Sequence, residues 1–170
     1  MQKIPSGEWS PRQFVKEAVQ QISRTVGAGE KVVCALSGGL DSTVVAFLLD
    51  RAIGERLVAI FVDHGMLRSG EAAEVSALCG MSLRGRFIRI DARKRFLESL
   101  RGVTDPEQKR KIIGAEFIHL FKEEALSMGD IAYLAQGTIC SDVVESGAGS
   151  GGEAIKAHHN VGGLPEELGF

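Results

Sequence analysis

Seven consecutive residues, Ser37-Gly-Gly-Leu-Asp-Ser-Thr43, bring together three hydroxyls, two glycines and one carboxylate. They stand between an apolar run, Lys31 to Leu36 (KVVCAL), and an amphipathic run that continues to Ile53. A strand, a Gly-Gly turn and a helix N-terminus form an anion site, because backbone N–H groups point outward and the helix dipole favours negative charge. Gly38 and Gly39 let the backbone come close to a ligand, since no Cβ intervenes. Ser37, Ser42 and Thr43 add hydroxyl donors. No lysine follows, so this is not the G-x-x-x-x-G-K-[ST] loop, and it is not G-x-G-x-x-G. Asp41 is the residue that a plain anion site does not explain, because a carboxylate repels a polyphosphate. Two readings remain. A magnesium ion shared between Asp41 and phosphate oxygens would reconcile the charges, or Asp41 is simply an acid in the first turn of a helix, complementing its dipole.

The elements that must position this loop follow from periodicity. Ser10-Pro-Arg-Gln13 starts a helix, with Ser10 as cap, Pro11 at the first helical position and Gln13 reaching back as a capping box. Trp9 and Phe14 are placed to form a hydrophobic staple. Phe14, Val15, Ala18, Val19, Ile22 and Val26 keep helical spacing, and Gly27 and Gly29 end the helix. Lys31 to Leu36 reads as a buried strand, Leu40 to Ile53 as a helix closed by Gly54, and Leu57 to Val62 (LVAIFV) as a second buried strand. Glu71 to Leu83 reads as a helix interrupted near Gly80. Arg86 to Asp91 (RFIRID) is a third strand, Arg93 to Leu100 a short helix, Pro106 to about Met128 a longer one, and Ile131 to Ala135 (IAYLA) a fourth strand. The alternation predicts an α/β fold, a parallel sheet with helices on both faces. In such sheets ligands bind beyond the carboxyl ends of the strands. That nominates SGGLDS, DHGMLR and QGTICSDVVES as the site. From Gly147 the chain is Gly-rich, and residues 147–170 read as loop.

The 170 residues are 44% hydrophobic and 25% charged with a formal net charge of −2, which is one domain of ordinary globular composition with no nucleic-acid-binding tail. No apolar run is long enough to span a bilayer. The first residues lack the apolar core of a secretory signal, and residues 1–9 read as an N-terminal segment before the domain. The three cysteines, Cys34, Cys79 and Cys140, are far apart. They fit neither a disulfide framework nor a zinc site, and with the missing signal they indicate the cytoplasm. Cys34 lies in a strand pattern and reads as a small buried hydrophobe.

SGGLDS resembles the SGG-x-DS signature of the ATP pyrophosphatases, enzymes that split ATP between its α and β phosphates. The resemblance implies an adenine nucleotide alpha hydrolase-like fold, with the loop on the pyrophosphate part of ATP. Three further segments, VDHGMLR (Val62 to Arg68), GVTDPEQKRKIIGAEFI (Gly102 to Ile118) and LAQGTICSDVVES…IKAHHNVGGLP (Leu134 to Pro165), resemble the GMP synthetases within that group, in order and at plausible distances. The missing C-x-x-C disfavours the tRNA thiolation enzymes. The resemblance implies ATP-dependent amination of xanthosine monophosphate (XMP) to GMP through an adenylated intermediate, with ATP and XMP as ligands and Mg²⁺ as cofactor.

Matched position by position, the resemblance implies that Ser37, Gly38, Gly39, Leu40, Asp41, Ser42 and Thr43 hold ATP, Asp41 with the metal, and that Val62 and its neighbouring backbone lie near adenine. Arg68 meets the nucleotide substrate. Lys156 is a candidate for phosphate charge, or a surface lysine. Asp142 and Glu145 touch substrate or magnesium, or cap the next helix. His158 and His159 are adjacent in an extended segment and point opposite ways, which suits loop structure better than a metal pair. Lys109, Arg110 and Lys111 form a solvated face or a phosphate lid. Ser141 stands where the family pattern usually has proline.

The same resemblance leads to the expectation that this is a partial ATP-pyrophosphatase domain. Against the family pattern, a last strand of the sheet, a dimerisation domain and a glutaminase domain are expected to be absent from residues 10–170. Ammonia would then come from solution or from a separate glutaminase subunit, and the fourth strand would be an exposed edge prone to self-association. A nucleotide- or partner-binding remnant without turnover is the alternative.

Overall fold

The computed structural model describes residues 10–137. Its elements are α1 (Pro11–Thr25), β1 (Lys31–Leu36), α2 (Leu40–Ile53), β2 (Leu57–Asp63), α3 (Glu71–Ser82), β3 (Arg86–Asp91), α4 (Arg93–Ser99), α5 (Pro106–Met128) and β4 (Ile131–Ala135), with one 3₁₀ turn, Gly54–Arg56, before β2. The four strands form one sheet in the order β3-β2-β1-β4. Every pairing is parallel. This is the α/β architecture that the alternation predicts.

Alternate side chains of each strand face opposite sides of the sheet, so β1 and β2 supply two cores. On one face Val32, Cys34, Leu36, Leu57, Ala59 and Phe61 pack with Ala46, Leu49 and Ile53 of α2 and with Val75 and Cys79 of α3. On the other, Val33, Val58, Ile60 and Val62 pack with Phe96 of α4 and Leu120 of α5. Phe61 and Phe96 are fully buried, each worth about 2–3 kcal/mol of apolar transfer. Because both faces are covered, the central strands are apolar except at Lys31 and Asp63, and all seven residues of β2 are buried.

Helix ends follow local chemistry, with three departures from expectation. Ser10 caps α1 by accepting the Gln13 N–H, with Pro11 in the first turn, but the Gln13 side chain donates to Glu17 instead of returning to Ser10. The capping box is therefore half formed, because a partner one turn ahead is within reach of the same amide. The Phe14 side chain is exposed, and Trp9, its expected staple partner, lies outside the described residues. Second, α1 ends at Thr25, with Val26 as its C-cap, one to two residues before the glycines. Third, α3 runs unbroken through Gly80. A glycine inside a helix costs about 1 kcal/mol relative to alanine, which the packing of Val75 and Cys79 offsets. Elsewhere Gly54 closes α2 in a left-handed turn (φ 57°), and Asp105 caps α5 ahead of Pro106.

Among the described residues no strand pairs with the outer side of β4. Its five residues are all half-buried. Tyr133 ties β4 to the end of α1 by donating its hydroxyl to the Thr25 carbonyl at 3.2 Å. None of the helices among the described residues is long and apolar enough to cross a membrane.

Candidate functional site: the turn after β1 and the loop after β2

The strand order reverses direction between β1 and β4. β1, β2 and β3 run outward on one side, and β4 lies on the other. The crevice above the carboxyl ends of β1 and β4 is where an open α/β sheet binds its ligand. The Ser37–Gly39 turn opens directly onto that crevice and leads into α2.

The turn is braced from within. Gly38 adopts φ +86°, a conformation that L side chains rarely take. Ser42 is buried at 5% exposure. Its Oγ accepts the Ser37 N–H at 3.1 Å and lies 3.1 Å from the Gly39 carbonyl and 3.0 Å from Ser37 Oγ, either of which can take its proton. Ser37 Oγ in turn accepts the Gly39 N–H at 3.3 Å, and the Thr43 hydroxyl donates to the Gly39 carbonyl at 2.8 Å. Ser42 and Thr43 thus turn their hydroxyls inward and set the shape of the turn. Leu40 is 77% exposed at the first position of α2.

Asp41 sits in the first turn of α2, exposed, and no hydrogen bond or ion pair engages its carboxylate among the described residues. Those residues contain no group of three or more His, Cys, Asp or Glu side chains that could hold a metal ion. A single free carboxylate beside the first-turn N–H groups of α2, which have no intrahelical partner, would fit a magnesium ion that also meets phosphate oxygens. It does not fit a metal held by protein alone.

A residue that sequence reasoning passed over completes the crevice. Gly137, two residues beyond β4, is buried. A Cβ added there would lie 2.9 Å from Ser42 N and 3.0 Å from the carbonyl carbon of Asp41 and from Ser42 Cα. The backbone leaving β4 therefore presses on the first turn of α2, and only glycine allows that approach. The segment was nominated for its place after a strand, but nothing in a single Q-G pair reveals what its backbone touches.

The loop after β2 forms the second wall. The β1–β2 register ends at Leu36↔Phe61, while the β2–β3 register continues to Asp63↔Asp91. Val62 and Asp63 thus overhang the turn after β1. The Val62 side chain is 2% exposed and belongs to the second core, so its proposed contact with adenine falls to its backbone. Asp63 is also buried, paired with Arg89 at 2.8 Å, and its other oxygen accepts the Gly65 N–H at 3.2 Å. Gly65, at φ +77°, packs against Arg93, whose Cγ would lie 3.1 Å from an added Cβ. Arg68 is exposed, and no ion pair engages its side chain among the described residues. Its backbone N–H donates to Glu71 Oε2 at 2.9 Å.

His64 anchors the same loop. Its ring lies against Phe96 and Phe117, with centroids at 5.9 and 5.6 Å. Its Nδ1 accepts the Met66 N–H at 3.1 Å, which leaves the ring proton on Nε2. Burial pushes the His64 pKa below its usual value, against the opposing charges of Asp63 and Glu71. The unfolded chain therefore takes up this proton at higher pH than the folded one. Stability should fall as pH drops below about 6.5, and His64→Gln should lose that component. Urea midpoints measured from pH 7.5 to 5 check both.

The remaining nominated residues divide. Lys109, Arg110 and Lys111 are exposed on α5. Arg110 pairs with Glu107 one turn earlier, as a solvated helix face does. Cys34 is wholly buried, and burial together with nearby Cys79 pushes its thiol up to about 12, the state of an inert core cysteine. Asp142, Glu145, Lys156, His158, His159, Cys140, Ser141 and the expected loop 147–170 lie outside the described residues.

The chain is 54% identical over 168 residues to a GMP synthase (glutamine-hydrolyzing) of Caldicellulosiruptor saccharolyticus, covering 96% of this chain and 32% of that protein. It is 53% identical over 164 residues to that of Bacillus subtilis, with the same coverage. The chain thus spans about a third of the length of these curated relatives. Among solved structures, an NH3-dependent NAD synthetase from Campylobacter jejuni superposes with a TM-score of 0.65 at 18% identity, over 83% of this chain and 62% of that one. An NMN synthetase from Francisella tularensis gives 0.61 at 19%, over 83% and 59%. At such identities these two speak for the fold alone. The NAD synthase family model matches residues 11–111, which include the turn after β1, the loop after β2 and the start of α5. The chain belongs to the NAD synthase family.

Proposed function

We propose that this chain is the ATP-pyrophosphatase part of a GMP synthetase. The observation that carries the reading is the similarity to GMP synthases over 96% of the chain, with the braced SGGLDS turn at the switch point of the sheet as its physical counterpart. The backbone N–H groups of Gly38, and of Leu40 and Asp41 at the start of α2, receive the β and γ phosphates of ATP, since those of Ser37 and Gly39 already donate within the turn, and adenine lies against the backbone of Val62. Asp41 would hold Mg²⁺, which would supply charge neutralisation on the phosphates and so a better leaving pyrophosphate.

The O2 of XMP attacks the α phosphorus. The bond to the β-phosphate oxygen breaks, and pyrophosphate leaves with its electron pair. Ammonia then adds at C2 of the adenylated purine and expels AMP, giving GMP. No side-chain nucleophile takes part. The protein's work is positioning and charge stabilisation, with Arg68 facing XMP and Lys156, Asp142 and Glu145 as further contacts. Ammonia from solution or a separate glutaminase, a cytoplasmic location, and self-association through the outer side of β4 belong to the same reading.

Incubation with Mg·ATP, XMP and ammonium tests it. AMP and GMP should appear in equal amounts, and AMP should vanish when XMP is omitted. AMP formed equally without XMP would remove the substrate assignment. Binding of Mg·ATP with no AMP under any condition would favour a nucleotide-binding protein without turnover.

A further inference from the structure

Glu71 was read from the sequence only as the start of a helix, yet its carboxylate stands between the two walls of the site. One oxygen, Oε2, accepts the backbone N–H of Arg68 at 2.9 Å. The other, Oε1, lies 3.6 Å from where a Cβ on Gly38 would sit, beside Val75 and Phe61. Glu71 is half-buried. It also follows Gly70, which takes φ +86° and turns the chain back into α3. The loop after β2 is already fixed at its start by Asp63, His64 and Gly65. Its far end, where Arg68 sits, is tied to Glu71 by the Arg68 N–H on Oε2 and by a second bond from the Glu71 N–H to the Arg68 carbonyl at 3.1 Å. The two residues thus close a small ring that lies against the Gly38 turn.

We propose that Glu71 is a positioning residue that latches the Arg68 end of the loop to the pyrophosphate turn, so that nucleotide bound at the turn and substrate met by Arg68 share one fixed geometry. This rests on the function proposed above. The carboxylate acts by holding the Arg68 backbone with one oxygen while its other oxygen and Val75 back the Gly38 turn. Charge is not essential to that role, because a glutamine carbonyl can accept the same N–H.

The test compares the whole chain with its Glu71→Ala and Glu71→Gln variants in two measurements. Backbone amide exchange followed by NMR reads the latch itself. The Arg68 amide should exchange slowly in the wild type and in Glu71→Gln, and about tenfold faster or more in Glu71→Ala. Titration with Mg·ATP reads the coupling. Affinity should fall about tenfold in Glu71→Ala and less than threefold in Glu71→Gln. Equal Arg68 exchange in all three proteins would overturn the proposal, as would loss of affinity in both variants alike, which marks the charge and not the latch as the source. If the wild type binds no Mg·ATP, the proposed function fails. The exchange measurement then still decides the latch, with fast Arg68 exchange confined to Glu71→Ala supporting it.

Discussion

Mg·ATP at about ten times its Kd should stabilise the wild-type chain by about 1.4 kcal/mol, a rise of about 2–4 °C in Tm, and Asp41→Ala should abolish that rise. The substitution separates the two readings of an acid in an anion site. If Asp41 only complements the α2 dipole, its removal lowers the Tm of the free protein by the equivalent of about 0.3–1 kcal/mol and leaves the ligand shift intact. If Asp41 also shares magnesium with the phosphates, the free protein shows the same small loss and the ligand shift disappears. Chelating the metal from the wild type should then reproduce the variant. The second outcome is expected because no hydrogen bond or ion pair engages the Asp41 carboxylate among the described residues, while the hydroxyls around it are already committed to the turn.

Gly137→Ala should cost about 2–3 kcal/mol of stability and weaken Mg·ATP binding as well. The added Cβ would meet Ser42 N at 2.9 Å, closer than such carbons come in real proteins, and Asp41 C and Ser42 Cα at 3.0 Å, tighter than most. A helix backbone cannot rotate aside as the end of a side chain can, so the strain must move the first turn of α2 or the segment after β4. Both carry the proposed site. Gly114→Ala is the matched control. Gly114 lies inside α5 with nothing within 4 Å of an added Cβ, so alanine there should stabilise by about 0.5–1 kcal/mol through helix propensity. Denaturant unfolding of the two variants, with Mg·ATP titrations alongside, checks the contrast.

The strands and helices were readable because burial on both faces of a parallel sheet forces apolar runs such as KVVCAL and LVAIFV, and these runs are short enough to be strands. The turn after β1 was readable because its chemistry lies in consecutive residues. What stayed hidden is long-range. Ser42 looked like a ligand donor, and only the folded turn shows its hydroxyl accepting the Ser37 N–H. Val62 could be placed near the site, but the register at Leu36↔Phe61 was needed to show that only its backbone overhangs the turn. Gly137 and Glu71 touch the site through partners far away in sequence, so no local pattern marks them. Gln13 failed as a capping-box partner for a local reason. Glu17, four residues on, offered the same amide a charged acceptor.

On the function proposed above, the turn after β1 receives a pyrophosphate group with magnesium. A ¹H–¹⁵N spectrum of the chain titrated with Mg·pyrophosphate tests it most directly, with magnesium and inorganic phosphate as the comparison. Saturable shifts of the amides of Gly38, Leu40 and Asp41 are expected with Mg·pyrophosphate, and much weaker ones with phosphate. Amides of the turn that stay unmoved, or shifts gathered elsewhere on the sheet, would contradict it.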